Sequence, residues 1–257
     1  MLERVILTND DGIDAPGMAV LEYIAALIAK EVWVVAPEQD QSGQSHAISL
    51  HHAIRISERG GRRYGVTGTP GDCAAVAICH LMKDERPQLM LSGVNRGVNL
   101  GIESVFSGTV GGAMTAMMLG VPAIALSQAF TDRRNVPWDT ARQLGARTIM
   151  TLLDAGWSSG ACLNVNFPPL PPSEVGPLVL AKQGEGMISG MNVDTRVDPR
   201  GMTYHWLNFN RSDRSQSPGT DYSAMRAGRI VVTPLRYDRT DEAAFADLAN
   251  KLPKFDG

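Results

Sequence analysis

The sequence predicts an α/β fold: a three-layer core around a mostly parallel, doubly wound sheet, followed by an extension of different texture. Three observations carry this. Short apolar or β-branched runs alternate with stretches of helical periodicity through the first 130 residues. The first strand, helix and second strand fit into about 30 residues, the size of a βαβ crossover, whose right-handed closure gives a parallel pair. After Gln128 the chain loses this rhythm, and residues 184–220 are rich in Gly, Asp, Arg and Ser.

Residues 5–8 (VILT) read as a short buried strand. Residues 15–30 (APGMAVLEYIAALIAK) place Met18, Leu21, Ile24, Ala25 and Ile28 at helical spacing. Residues 31–36 (EVWVVA) form a second β-branched strand, and 39–44 (QDQSGQ) the polar loop at its end. Residues 45–71 alternate weakly around Arg-Gly-Gly-Arg, which predicts an irregular hairpin. Residues 72–82 (DCAAVAICHLM) read as a helix, with Asp72 as its N-cap and His80 packed on its apolar face. Residues 88–91 (QLML) are strand-like and run into the loop SGVNRGVNLG. Residues 109–119 (TVGGAMTAMML) are helical despite Gly111 and Gly112, which let the helix pack closely on the sheet. Residues 121–127 (VPAIALS) are another buried strand. The order β-α-β-α-β-α-β is that of a doubly wound sheet.

Beyond it come a helix over 139–155, strands over 162–166 and 178–181, and a polar stretch over 184–220. Within that stretch MTYHWLNF alternates in bulk like one arm of a protruding hairpin. A strand over 229–233 and a closing helix over 241–252 complete the chain. The expected division is a catalytic core over 1–130, then the remainder of the core plus an extension over 131–257, in one structural unit. No internal repeat or low-complexity tract interrupts it.

Composition excludes several classes. At 257 residues, 44% hydrophobic and 20% charged, the chain suits one large globular domain. A net charge of −3 gives no global attraction to nucleic acid or anionic membrane, so an anionic substrate must be drawn in locally. Cys73, Cys79 and Cys162 are odd in number and lack zinc or redox spacing, so all three are expected to be reduced packing residues. No apolar signal core precedes NDDG and no apolar run has the length of a membrane span, so a cytoplasmic protein is expected.

The chemistry collects after the strands, where ligands bind in open parallel sheets. The first strand delivers Asn9, Asp10 and Asp11. The second delivers Pro37, Glu38, Asp40 and Ser42, and the strand ending at Leu91 delivers Ser92, Asn95 and Asn99. This set is carboxylate, hydroxyl and amide oxygen, without histidine or cysteine, and suits a hard cation such as Mg²⁺ or Mn²⁺. Asp-Asp-Gly is also ordinary turn chemistry, and spacing leaves both readings open. Ser107, Gly108 and Thr109 stand where a helix begins, a natural phosphate seat and equally an ordinary N-cap. A cation beside a phosphate seat points to phosphate ester hydrolysis. The P-loop signature, the dinucleotide glycine fingerprint and the esterase elbow are absent. His46, His51 and His52 fall in a loop without metal-motif spacing.

Four segments in order, NDDGIDAPG, VVAPEQDQSG, SGVNRGVNLG and FSGTVGGAM, joined by TGTPGDC and GTDYSAMRAGRIVVTPL, resemble the survival protein SurE family over essentially the whole chain. The resemblance implies a Rossmann-like α/β core with a C-terminal extension that assembles homodimers or homotetramers. It implies a phosphomonoesterase, dependent on one Mg²⁺ or Mn²⁺ per subunit, acting on nucleoside 5′- and 3′-monophosphates and on short polyphosphate. Carried over by motif, the metal ligands are Asp10, Asp11, Ser42 and Asn95. Asn9, Asn99, Ser107, Gly108 and Thr109 hold the phosphate, and Asp11 is the better candidate for taking a water proton. Arg96 replaces a small residue and is expected to face solvent. Gly111 and Gly112 replace alanine-like positions and are expected to matter little. Two rivals remain: a phosphatase for other small esters, and a nucleic-acid binder using Arg196, Arg200, Arg211 and Arg214 around Tyr204, His205 and Trp206. Asp194, Asp198 and Asp213 dilute that charge, so an oligomer contact is the preferred reading of the segment.

Overall fold

In β1 (Leu2–Thr8), Val5 and Leu7 face one side of a sheet and Ile6 the other, and all three are fully buried. A strand buried on both faces reads as an unbroken apolar run, which is why VIL shows no alternation. The computed structural model, which describes residues 1–212 and 217–252, builds nine strands into one sheet around it. α1 (Pro16–Ala26) leads to β2 (Ala29–Pro37), and a short hairpin follows, β3 (Ile56–Glu58) and β4 (Arg63–Val66). Next come α2 (Pro70–Val76), β5 (Leu89–Arg96), α3 (Gly108–Met118), β6 (Ala123–Gln128), α4 (Trp138–Ala155) and β7 (Cys162–Phe167). The rest is β8 (Gly176–Leu180), β9 (Ile188–Val197), β10 (Thr203–Arg211), α5 (Asp221–Arg226), β11 (Arg229–Leu235) and α6 (Glu242–Lys251).

The sheet order is β3-β4-β2-β1-β5-β6-β7-β11-β8. From β1 the chain first builds outward through β2 and β4. It then returns to add β5, β6 and β7 on the other side, all parallel. The direction of winding therefore switches between β1 and β5, where Thr8 lies opposite Ser92. Open α/β sheets bind ligands in the crevice at such a switch. β11 runs antiparallel to β7 and parallel to the edge strand β8. Met18, Leu21 and Ile24 of α1 and Ile149 of α4 pack with Val5, Leu7 and Leu91 on one face. Cys73 and Ala74 of α2 and Val110, Ala113 and Met114 of α3 pack with Ile6, Val35 and Met90 on the other. This is the expected three-layer core.

Several local readings need correction. Thr69, not Asp72, caps α2: the Thr69 hydroxyl accepts from the Asp72 N–H at 3.2 Å, and the Asp72 carboxylate accepts from the Thr69 N–H at 2.9 Å. Asp72 is the third residue of the helix, the reciprocal partner in a capping box. The helix continues beyond Val76 as a π-turn over Ala77–Leu81, and this rotation leaves Cys79 and His80 exposed rather than packed. Cys73 and Cys162 are buried as expected. β5 extends through Ser92 to Arg96, because β6 supplies partners for residues that read locally as loop: Asn95 lies opposite Ser127 and Arg96 opposite Gln128.

Gly111 and Gly112 matter more than their replacement of alanine suggested. A Cβ on Gly112 would meet Thr8 Cγ2 at 3.1 Å and Ser92 Oγ at 3.2 Å, so its absence lets α3 lie close on β1 and β5. A Cβ on Gly111 would fall 2.1 Å from the Ser45 carbonyl oxygen, which is backbone and cannot swing aside. Gly111→Ala is therefore expected to destabilise the fold by about 1–3 kcal/mol, the usual range for overpacking, measurable by urea unfolding.

β9 and β10 form a separate antiparallel ribbon, so the predicted arm has its partner. Met191, Val193, Val197, Trp206 and Leu207 on it are all more than half exposed. α6 buries no residue within the chain. Among the described residues no helix is long and apolar enough to cross a membrane.

Candidate functional site

The chain leaves β1 at Thr8, and the next residue, Asn9, is fully buried. One amide N–H of Asn9 donates to the Gly12 carbonyl at 2.7 Å and closes the Asn-Asp-Asp-Gly turn. Its Oδ1 is buried with no hydrogen-bond partner. The Ser92 hydroxyl, on the strand beside Thr8, is likewise buried with no hydrogen-bond partner. Orphaned polar atoms at the floor of a crevice are costly unless a ligand or water meets them.

Asp10 is only 4% exposed, and it points at the start of α3. Its Oδ1 accepts a hydrogen bond from the Thr109 hydroxyl at 2.6 Å. A Cβ on Gly108 would lie 2.8 Å from Asp10 Cβ and 3.1 Å from Oδ2, so the carboxylate fits against the helix only because residue 108 has no side chain. The Asp10 carboxyl is pushed up to about 6: burial raises it most, the Thr109 hydroxyl pulls against that, and the adjacent Asp11 charge adds to the rise. Asp11 is half-buried. Burial raises its pKa also, the Arg96 N–H on Oδ2 at 3.1 Å and the nearby Arg96 and Arg133 charges lower it, and the Asp40 charge raises it. Two neighbouring carboxylates that are both harder to ionise than usual describe a site short of positive charge.

The loop after β2 is tied to the same turn. The Gln41 N–H donates to the Asp10 carbonyl at 2.7 Å, and the Ser42 N–H donates to Asp40 Oδ1 at 2.8 Å. Ser42 itself is exposed at the rim, and Asn95, half-buried, ends β5 on the other side of the crevice. Arg96 is exposed, as expected of it, while its backbone serves Asp11. Among the described residues no group of three or more His, Cys, Asp or Glu side chains could hold a metal ion. A cation here would take two carboxylates and complete its shell with neutral oxygens, which is the donor set of a hard divalent ion. The residues fit such an ion, because no cationic side chain acts on the buried Asp10 carboxyl and the Asn9 oxygen beside it is without a partner.

Ser107 is the N-cap of α3, its hydroxyl accepting from the Val110 N–H at 3.1 Å. The cap reading of the SGT segment is therefore borne out, and no backbone partner accepts the Gly108 N–H among the described residues. Ser45, from the loop after β2, braces the preceding turn by donating its N–H to the Phe106 carbonyl and its hydroxyl to that of Val105. Asn99 is placed differently. Its amide donates to Ser127 Oγ at 2.9 Å and its carbonyl accepts from Asn164 and Asn166, in a polar cluster under β6 and β7.

The sequence reading missed the residues that secure the turn before Ser107. A 3₁₀ turn over Gly101–Phe106 is held by Glu103, Asp221, Gln183, Tyr222 and Arg211; Asp221 and Tyr222 fall in the GTDYSAM segment, but nothing local in the sequence gives any of the five this role. Of the segment considered for nucleic acid, Arg196 and Arg200 lie on an exposed ribbon beside Asp194 and Asp198, and Arg211 is paired with Glu103. Arg214 and Asp213 lie outside the described residues.

Fold and rim define a Rossmann-like α/β protein whose switch-point crevice sets the buried Asp10 carboxylate against the first turn of a helix, with Asp11 next to it in the chain. The sequence matches the family described as "Survival protein SurE" over residues 5–190. It is 56% identical over 252 residues to the 5′-nucleotidase SurE 1 of Burkholderia lata, covering 98% of this chain and 97% of that one. It is 44% identical over 253 residues to the 5′-nucleotidase SurE of a Bradyrhizobium species, covering 97% and 99%. The crystal structure of the SurE protein from Aquifex aeolicus superposes with a TM-score of 0.82 at 30% identity, covering 96% of this chain and 99% of that one. The chain belongs to the survival protein SurE family.

Proposed function

We propose that this protein is a 5′-nucleotidase: a metal-dependent phosphomonoesterase that hydrolyses nucleoside 5′-monophosphates, with 3′-monophosphates and short polyphosphate as further substrates. The single observation that carries the reading is the buried Asp10 carboxylate set on Thr109 and Gly108 at the first turn of α3. Nucleotidases are the relatives most similar in sequence among those compared above, and they span nearly the whole chain.

Asp10, Asp11, Ser42 and Asn95 would hold one Mg²⁺ or Mn²⁺, which supplies Lewis-acid polarisation of the phosphoryl group and a more acidic water. The Gly108 N–H and the Ser107 hydroxyl proton bind phosphoryl oxygens, where the α3 dipole favours negative charge. Asn9 contributes its second amide N–H from the floor of the crevice. Asn99 acts from behind, holding the loop between β5 and α3. Asp11, the more accessible carboxylate, takes the proton of the attacking water, while Asp10 stays fixed by Thr109. The exposed apolar ribbon β9–β10 docks on a second copy of the chain, giving a dimer or tetramer.

The test is phosphate release from nucleotides, sugar phosphates and polyphosphate. With EDTA, turnover should fall by at least about a thousandfold and return with Mn²⁺ or Mg²⁺, as expected when a Lewis acid worth several kcal/mol is removed. Turnover unchanged in EDTA would rule out this mechanism. A preference for sugar phosphates would keep the chemistry and change the substrate.

A further inference from the structure

We propose that Glu103 is a positioning residue for the phosphate seat, and that its pairing with Arg211 makes the seat depend on the base of the β9–β10 ribbon. This rests on reading Ser107–Thr109 as that seat.

The Glu103 carboxylate is 7% exposed and lies inside the 3₁₀ turn that runs directly into Ser107. Oε1 accepts from the Tyr222 hydroxyl at 2.9 Å and from the Met187 N–H at 2.8 Å, and Oε2 accepts from Arg211 Nη1 at 2.8 Å. Met187 stands just before β9, Arg211 ends β10 and Tyr222 opens α5. One carboxylate thus collects donors from both feet of the ribbon and from the helix after it.

The start of the same turn is held equally firmly. The Gly101 N–H donates to Asp221 Oδ2 at 2.7 Å, and Gln183 Nε2 donates to the Gly101 carbonyl at 2.8 Å and to Ser104 Oγ at 2.9 Å. A Cβ on Gly101 would fall 2.5 Å from the Gly186 nitrogen, so the two backbones touch. The far end of the turn passes into the seat through the Ser107 N–H, which donates to the Ser104 carbonyl at 3.3 Å. Phe209 of β10 also packs on Phe106 at 5.1 Å between ring centres. The path from ribbon to seat is therefore continuous: Arg211 to Glu103, Glu103 to the turn, the turn to the cap of α3.

The Arg211 side chain is half exposed while that of Glu103 is 6% exposed, so the pair is open only on the ribbon side. Moving the ribbon, as docking of a second copy would, acts on a buried carboxylate one turn from the helix start. Breaking the pair leaves that carboxylate short of one charged donor and frees the turn. Loosened donors at the helix start weaken stabilisation of developing charge more than ground-state binding.

The experiment measures kcat and KM for adenosine 5′-monophosphate with Mn²⁺ in wild type, Glu103→Gln, Arg211→Met, their double variant and Arg211→Lys. Glu103→Gln should lower kcat about tenfold and Arg211→Met about threefold, each with KM moved less than about threefold. The double variant should be no slower than Glu103→Gln, because linked residues are not additive. Arg211→Lys should recover most of the rate. The melting shift induced by Mn²⁺ alone should stay at the wild-type value in all of them, since Asp10, Asp11, Ser42 and Asn95 lie on other elements. Wild-type kcat in Arg211→Met, or additive losses in the double variant, would overturn the proposal. If Glu103→Gln does not fold, Arg211→Met decides alone by the same criterion. A wild type that releases no phosphate overturns the reading of the site itself, and this proposal with it.

Discussion

Asp10→Asn should abolish turnover while making the metal-free protein more stable. The two effects have one cause. Asp10 is 4% exposed and adjoins a second carboxylate, so its charge is maintained at a cost that the Thr109 hydrogen bond offsets only in part. Asparagine has nearly the same shape, keeps an oxygen for the Thr109 hydroxyl and carries no charge. Removing the buried charge should raise apo stability by about 1–3 kcal/mol, or about 2–12 °C in melting temperature for a chain of this size. Turnover with Mn²⁺ should drop by about a thousandfold or more, because the variant loses a charged ligand and the partner of the helix start. Calorimetry with and without Mn²⁺ separates the two: the wild type should gain stability from the ion and Asp10→Asn should not. A variant less stable than wild type without metal would mean that Asp10 is a structural carboxylate.

Gly108→Ala should cost about a hundredfold in kcat, through geometry alone. The added methyl would sit 2.8 Å from Asp10 Cβ, on the backbone side of the carboxylate, where a rotamer change cannot relieve it. Either Asp10 or the first turn of α3 must shift by several tenths of an ångström. Misplacement on this scale is enough for losses of about 10²-fold when positioning carries the catalysis. The stability cost should be about 1–3 kcal/mol, as for other overpacked sites, leaving the protein folded at 25 °C. The backbone N–H groups survive the substitution, so a near-normal rate in Gly108→Ala would show that the Asp10–helix contact is not used in catalysis.

These two positions also show where sequence reading succeeds. Asp10 and Asp11 were legible because a buried strand ending in adjacent charges is anomalous, and because switch-point crevices lie beyond strand ends. Gly108 and Thr109 were legible as a helix start. What was not legible is non-local. Nothing near Ser92 to Arg96 marks it as strand, because its pairing is supplied by β6. Gly111 looked dispensable, since the Ser45 carbonyl that crowds it lies in a loop with no pattern of its own. Nothing around Glu103 marks it, because its partners lie 84, 108 and 119 residues away in the chain. Thr69 and Asp72 were confused because both types occupy helix starts, and only geometry distinguishes the cap from its reciprocal partner.

The Asp10–Asp11 turn is proposed as a cation site serving the helix start beside it. Isothermal titration of Mn²⁺ into the apo protein tests it most directly. One saturable site per chain is expected in the wild type, and none in the doubly substituted Asp10→Asn, Asp11→Asn protein. Binding of Mn²⁺ by that variant with the stoichiometry and affinity of the wild type would contradict it.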